Sequence, residues 1–230
     1  MRNRKLFIAV AAMAMVIAAV AAASALAAYH SEEKTTNFRG SMQTSQVWTT
    51  NILNPHCPAA TFNADNVQAT EKGSKDFAVD SLFVHPLYGK ATGSGEDCQY
   101  GGLTTSISTA GCDYEFGLTE PISEGSAQAK MHIGCIEGKK IKMENKGLKC
   151  TEEFPTQDPS GVVTFTNVGN GAKREIEARF EITNLAYTWS AGCPGAKNKA
   201  GSATNGTYVG NVRFKGVNSA TASQVGIWVK

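Results

Sequence analysis

The sequence predicts an all-β fold, an antiparallel β-sandwich that follows an N-terminal signal helix. Short runs of alternating apolar and polar residues recur roughly every 8 to 15 residues, which is the pattern of half-buried strands. Clusters of Gly, Asn, Pro and Ser separate these runs, and the 23 glycines of the chain suit many tight turns. No long segment beyond the N-terminal region has the period of a helix, so we predict strands for the rest of the chain.

The N-terminal region predicts export. Three basic residues lie within the first five positions, and an apolar, alanine-rich run over residues 6–28 follows them. Small residues alternate at the end of this run, as a signal peptidase requires. We therefore predict a signal peptide over residues 1–27, cleaved after Ala27, and a protein that is secreted or held in the cell envelope. An uncleaved anchor is the alternative, because residues 6–28 are long enough to span a bilayer; this segment would then be the only contact with the membrane.

The charge of the exported chain is close to neutral. The precursor carries 22 Lys and Arg against 20 Asp and Glu, and its pI is 8.2. Without the three basic residues of the signal segment, 19 basic residues face 20 acidic ones. No basic stripe interleaves with aromatic residues, so we predict no nucleic-acid partner.

All the cysteines lie beyond the predicted signal peptide. An even number of cysteines in an exported chain predicts three disulfides. Zinc is the alternative, but the chain has neither the close cysteine pairs nor the spaced histidines of a zinc site. The segment "FNADN" offers oxygen ligands without the spacing of a calcium loop, so we predict no metal and no cofactor. The six cysteines are Cys57, Cys98, Cys112, Cys135, Cys150 and Cys193.

One disulfide follows from strand geometry. The runs "CDYEFGL" and "AKMHIGC" both alternate, and they pair as an antiparallel hairpin if opposed residue numbers sum to 247. Every inward residue then faces an inward partner, and Cys112 stands opposite Cys135 at the open end, within the reach of a disulfide. A slip of one residue would turn acidic side chains towards the core. The segment "TEPISEGSA" is the predicted loop of this hairpin. For the other two bridges, Cys57 with Cys98 and Cys150 with Cys193 are the pairings that keep the links local.

The remaining strands follow in order along the chain. The clearest run is "REIEARFEITNLAYTW", in which the parity of the apolar residues changes after Asn184; a β-bulge there, or a strand that crosses between sheets, would produce the change. The other predicted strands lie in "TTNFRGSM", "AATFNADNVQAT", "DFAVDSLFV", "LTTSIST", "KKIKM", "LKCTEEF", "VVTFTNV", "GTYVGNVRFKG" and "QVGIWVK".

Residues 28–230 form one disulfide-stabilised β-sandwich region in this prediction. Two segments, 61–98 and 164–193, share a rhythm of Thr-Phe, an Asn-rich turn, a charged strand, a tyrosine and a final cysteine. This similarity raises the alternative of two related β-subunits that pack together, although few residues are identical and chance explains the similarity equally well.

Several motifs resemble those of a known group of proteins. The segments "GCDYEF", "AKMHIGC", "GVVTFTNVGNG", "ITNLAYTWSAGCPG", "NGTYVGNVRFKG" and "VGIWV" are similar to uncharacterised secreted β-rich proteins that occur as multiple paralogues in some actinobacteria. These are turn and strand motifs. The resemblance therefore implies export and a β-rich fold, and it assigns no activity and no site residues.

The chain lacks the common motifs of catalytic sites, apart from an S-x-x-K at residues 31–34 that chance explains. The nucleophile elbow, the zinc-protease helix, the P-loop and the dinucleotide loop are all missing, and glutamates such as Glu115, Glu177 and Glu181 alternate with core residues as solvated side chains do. Trp228 is the candidate binding residue, since it points away from Val225, Ile227 and Val229; with both faces of the strand covered it would be core instead. We therefore predict a binding or structural protein rather than an enzyme, with a glycan or protein ligand. The alternative is an extracellular hydrolase whose site is assembled from residues distant in sequence.

Overall fold

The computed structural model describes residues 27–33, 35–68, 77–79, 81–94, 96–197 and 199–230. The predicted signal peptide lies outside the described residues, apart from Ala27. Strands dominate the described part of the chain, which otherwise contains two short 3-10 turns. The strands are β1 Tyr29–Ser31, β2 Thr35–Thr49, β3 His56–Cys57, β4 Ala60–Gln68, β5 Phe77–Val79, β6 Ser81–Tyr88, β7 Cys98–Tyr100, β8 Leu103–Ser108, β9 Cys112–Ser123, β10 Ser126–Cys135, β11 Ile141–Asn145, β12 Cys150–Phe154, β13 Ser160–Val168, β14 Glu175–Trp189, β15 Gly201–Asn218, β16 Gln224–Val225 and β17 Ile227–Val229.

The strand pairings are antiparallel throughout, which confirms the predicted all-β class, and they close into two rings. The first ring runs β2-β4-β6-β9-β10-β13-β14-β15 and returns to β2. The second runs β2-β3-β7-β8-β11-β12-β14-β15 and also returns to β2. Opposite walls of each ring pack their inner faces together, as the layers of a sandwich do. Closure leaves few strand edges open to other chains.

Three long strands, β2, β14 and β15, belong to both rings. The first part of β14 pairs with β13, while Thr188 and Trp189 at its end pair with β12. Between these parts, the β14–β15 register shifts after Ile182, and Asn184 has a left-handed φ of 56°. The bulge predicted at Asn184 is therefore confirmed. It lets one strand present Ile182 to the first core and Tyr187 to the second.

Aromatic side chains fill both rings. In the first ring, Phe180 stacks on Phe62 with ring centroids 5.8 Å apart and packs on Phe116 at 5.5 Å. In the second ring, Trp48 packs on Phe154 with centroids 5.0 Å apart. Each of these pairs joins strands that are not neighbours, so the contacts hold the walls together across the interior.

Buried tyrosine hydroxyls form a chain where the rings meet. Tyr88 donates to Tyr208 over 3.1 Å, and Tyr208 donates to the Gln46 side-chain oxygen over 2.6 Å. Burial raises the pKa of Tyr88 and of Tyr208 well above the usual value, so both hydroxyls stay protonated. A Cβ on Gly210 would overlap the Gln46 amide, which explains the glycine in the middle of β15.

A smaller sheet, β17-β1-β5, packs against the first ring. Tyr29 of β1 is buried, and its ring meets Phe165 edge to face at 5.3 Å. Its hydroxyl donates to the Phe116 carbonyl over 3.2 Å. The β1–β17 pairing sets His30 opposite Trp228, which positions the candidate binding residue.

The Cys112–Cys135 hairpin has the predicted register. Residues 112, 114, 116 and 118 stand opposite 135, 133, 131 and 129, and the disulfide closes the open end. The predicted loop "TEPISEGSA" is wrong in extent, because β9 continues to Ser123 and β10 begins at Ser126. Two register shifts, on either side of Ala127, absorb the irregular residues, so only Glu124 and Gly125 form the turn.

The other two disulfides also have the predicted pairing. Cys57 and Cys98 link β3 to β7, and Cys150 and Cys193 link β12 to the loop after β14. Three disulfides indicate an oxidising, extracellular type of environment. In the part of the chain that the structure describes, no helix has the length and apolar character needed to cross a membrane.

The two segments of similar rhythm do not divide the molecule into two halves. Along the chain, β3 belongs to the second ring, β4 and β6 to the first, β7 and β8 to the second, β9 and β10 to the first, β11 and β12 to the second, and β13 to the first. The rings are therefore interleaved along the chain rather than built from successive subunits.

Candidate functional site

Trp228 lies in β17 with its indole half-buried. The neighbouring Ile227 and Val229 are buried, as the predicted alternation requires. Trp228 points to the other face, where its ring stacks on His30 with centroids 5.4 Å apart and planes 8° from parallel. The side chain is thus neither fully core nor fully free, and part of the ring faces a surface groove.

Arg174 holds its guanidinium over the Trp228 ring, 4.9 Å from the centroid. The Arg174 carbonyl accepts a hydrogen bond from the Ile227 amide over 3.1 Å, which ties this residue to the strand that carries the indole. Cation–π attraction adds roughly 0.5–1 kcal/mol at exposed sites. The guanidinium and the indole therefore form one stacked unit, named here the Arg174–Trp228 stack.

Asn167 makes the floor of the groove rigid. Its side-chain amide donates to the Val229 carbonyl over 2.9 Å, and its side-chain oxygen accepts from the Val229 amide over 2.8 Å. Its own backbone amide donates to the Gly125 carbonyl over 2.8 Å. One residue thus joins β13, β17 and the turn of the hairpin. The groove has a volume of about 450 Å³, and Glu124, Asn170 and Lys230 also line it.

A second arrangement lies on the outer face of the hairpin. His132 Nδ1 is 2.7 Å from Asp158 Oδ1, and His132 stands directly opposite Glu115 in the β9–β10 ladder. These three residues and Lys130 line a pocket of about 370 Å³. Hydrogen bonding of Nδ1–H to the carboxylate would leave Nε2 as a proton acceptor. The chain therefore places a histidine between two carboxylates that are distant in sequence.

Glu152 is a carboxyl whose burial the sequence did not lead us to expect. It shares the inward face of β12 with Cys150 and Phe154, and this parity is the signal that could have identified it. Thr50 Oγ1 lies 2.7 Å from Glu152 Oε1, whereas Oε2 has no hydrogen-bond partner among the described residues. Burial raises the pKa of Glu152 to about 7.

The other acidic candidates have structural partners. Glu177 pairs with Arg213, and Glu181 pairs with Arg179 on the outer face of β14. The "FNADN" segment lies within β4, where Asp65 pairs with Arg39. Within the described ranges, no group of three or more His, Cys, Asp or Glu side chains is placed to hold a metal ion.

Similarity to known proteins adds no assignment. Family models, curated proteins and solved structures were compared with the chain, and none matches. The candidate sites therefore stand on geometry alone.

Proposed function

We propose that this is an exported glycan-binding module and that the groove at the Arg174–Trp228 stack is its ligand site. The proposal depends on one observation. The indole of Trp228 is half-buried, lies on the floor that Asn167 holds rigid, and has exposed polar side chains beside it. Binding sites combine an aromatic surface with a few placed polar groups, and a rigid site loses little entropy when a ligand binds. The resemblance to secreted β-rich proteins and the three disulfides support export in this proposal.

Glycan recognition suits this lining. The C–H groups on one face of a sugar ring pack well against an aromatic surface, because the ring face carries partial negative charge. Amide and charged side chains at Asn170, Glu124 and Lys230 can hydrogen-bond the sugar hydroxyls. The groove therefore brings an aromatic side chain and polar groups together at one place.

A Trp228→Ala variant tests the site. We expect the purified protein to bind a subset of glycans on an array, and we expect the variant to lose at least about tenfold in affinity by calorimetry, since an aromatic platform contributes more than 1 kcal/mol. Phe83→Ala is the matched control, because Phe83 is 60% exposed on β6 and does not line the groove. Thermal unfolding of both variants reports whether the fold is intact. Equal affinities for Trp228→Ala and wild type would contradict the proposal.

A hydrolase is the second candidate function, and the His132–Asp158 pair beside Glu115 favours it. In this proposal Asp158 orients the imidazole and His132 Nε2 accepts a proton from water, whose oxygen bonds to the reacting centre. The bond to the leaving group then breaks, the imidazolium returns the proton to that group, and Glu115 stabilises the imidazolium while it is charged. The pocket of about 370 Å³ leaves room for a small substrate group.

Chromogenic esters, glycosides and phosphates test this second function. We expect His132→Ala to lower turnover of a hydrolysed substrate about a hundredfold, the usual contribution of a general base. His85→Ala is the matched control, because His85 forms a similar pair with Asp113 at 2.8 Å on the same face and does not line the pocket. Turnover no faster than in buffer for every substrate, or equal losses in the two variants, would exclude the site.

A further inference from the structure

We infer that the ligand of the groove is an acidic glycan and that Arg174 binds its carboxylate. This inference rests on the proposed function and specifies its ligand class. The evidence is that Arg174 forms no ion pair with a described residue and that cationic side chains line the groove.

Arg174 differs from the other arginines of the described chain. Arg39, Arg179 and Arg213 each form an ion pair with an acidic side chain. In the described residues, no ion pair or side-chain hydrogen bond involves the Arg174 guanidinium, which lies over an indole instead. Its N–H donors therefore have no acceptor among the described residues and stay available to a ligand.

The geometry favours a carboxylate. A guanidinium presents a planar fork of donors that matches the two oxygens of a carboxylate, and charge-assisted bidentate bonds are roughly twice as strong as neutral ones. The contact with Trp228 holds the guanidinium beside the groove before the ligand arrives. A uronic acid carries its carboxylate on the sugar ring. One sugar residue can therefore contact the Arg174–Trp228 stack and at the same time place its carboxylate against the guanidinium.

The groove lining includes the cationic side chains of Arg174 and Lys230. Lys230 forms no ion pair with a described residue. Glu124 is the one acidic side chain in the lining. Both cationic side chains attract the acidic groups of an anionic polymer. Because these groups lie at the surface, the attraction weakens as salt screens it.

The test compares an oligogalacturonate with its methyl ester, which keeps the sugar and removes the charge. We expect the purified protein to bind the acid form at least about tenfold more tightly than the ester by calorimetry, and this preference to shrink at high salt. Arg174→Gln should lose about tenfold in affinity for the acid form and so abolish the preference for the acid form over the ester. Arg179→Gln is the control, since Arg179 pairs with Glu181 outside the groove and should change neither affinity.

The outcomes separate this inference from the proposed function. Equal binding of acid and ester, with loss of both in Trp228→Ala, would overturn the acidic ligand and keep the glycan site. Binding of a poly(glycerol phosphate) in place of the oligogalacturonate would overturn the carboxylate assignment and show that a phosphodiester supplies the anion. Failure of the protein to bind any glycan would overturn both proposals.

Discussion

A Gly161→Ala variant is expected to lose about 4 kcal/mol of unfolding free energy, a large share of a typical domain's stability. Gly161 has a φ of +97°, a conformation that costs any residue with a Cβ about 1–3 kcal/mol. A Cβ at this position would also overlap the Glu181 carbonyl oxygen of β14. That oxygen belongs to a strand paired on both sides, so β13 would have to move away from β14 to relieve the overlap.

Gly138→Ala separates the two costs. Gly138 also has a positive φ, +74°, but a Cβ there would meet nothing within 4 Å. We expect this control to lose about 1–2 kcal/mol, the cost of the backbone conformation alone. Chemical denaturation of both variants gives the two free energies. Equal losses would mean that β13 does not approach β14 as closely as the structure has it.

The close approach at Gly161 also shapes the second candidate site. β13 pairs with β10 from Val163 onwards, and the next contact between these parts of the chain is the bridge between Ile133 and Gln157. The chain between these contacts leaves the ladder, and Asp158 reaches His132 there. The glycine thus permits a tight β13–β14 pairing while the other side of β13 opens towards the pocket.

Local patterns account for the parts of the fold that the sequence predicted. The Cys112–Cys135 hairpin could be placed because two adjacent runs alternate and a slip by one residue would bury Asp113 and Glu115. The bulge at Asn184 could be placed because the parity of the apolar residues changes within one strand. In both cases the information lies within a few consecutive residues, where side-chain alternation determines the facing.

Ring closure could not be predicted in this way. It depends on the pairing of β2 with β15, which lie at opposite ends of the described chain, and β2 carries polar residues such as Gln43 and Thr44 where it passes between the rings. Strands as short as β3 and β7 have too few residues to show alternation, and their positions follow from the Cys57–Cys98 bridge.

The candidate sites also combine features that local patterns predict with contacts between distant parts of the chain. The alternation of apolar residues correctly predicted that Trp228 points away from Ile227 and Val229. It could not predict the contact with Arg174, which comes from the turn before β14. The His132–Asp158 pair joins a strand to a loop distant in sequence. Such contacts arise from tertiary packing, and no spacing within a single chain segment encodes them.

Removal of the buried carboxyl in Glu152→Gln is expected to change how stability depends on pH. The pKa of Glu152 is about 7 in the folded protein, and its ordinary value is 4.5. Between these values the folded state binds the proton more tightly than the unfolded state, so stability falls as pH rises through this window. The full loss, reached above pH 7, is about 3 kcal/mol at 1.36 kcal/mol for each pH unit. A glutamine is neutral at every pH and avoids this loss.

Urea denaturation at pH 4.5 and pH 8 measures the effect. We expect Glu152→Gln to be more stable than wild type by up to about 3 kcal/mol at pH 8 and nearly equal to it at pH 4.5, because the wild-type side chain is largely protonated there. Glu153→Gln is the matched control, since Glu153 lies on the opposite face of β12 in a surface ion pair with Lys140, worth less than about 1 kcal/mol. The same pH dependence in wild type and Glu152→Gln would mean that the carboxyl does not stay buried. The hydrogen bond from Thr50 to Glu152 requires the carboxyl to stay buried. Without that burial, this bond could not hold the loop after β2 against the second ring.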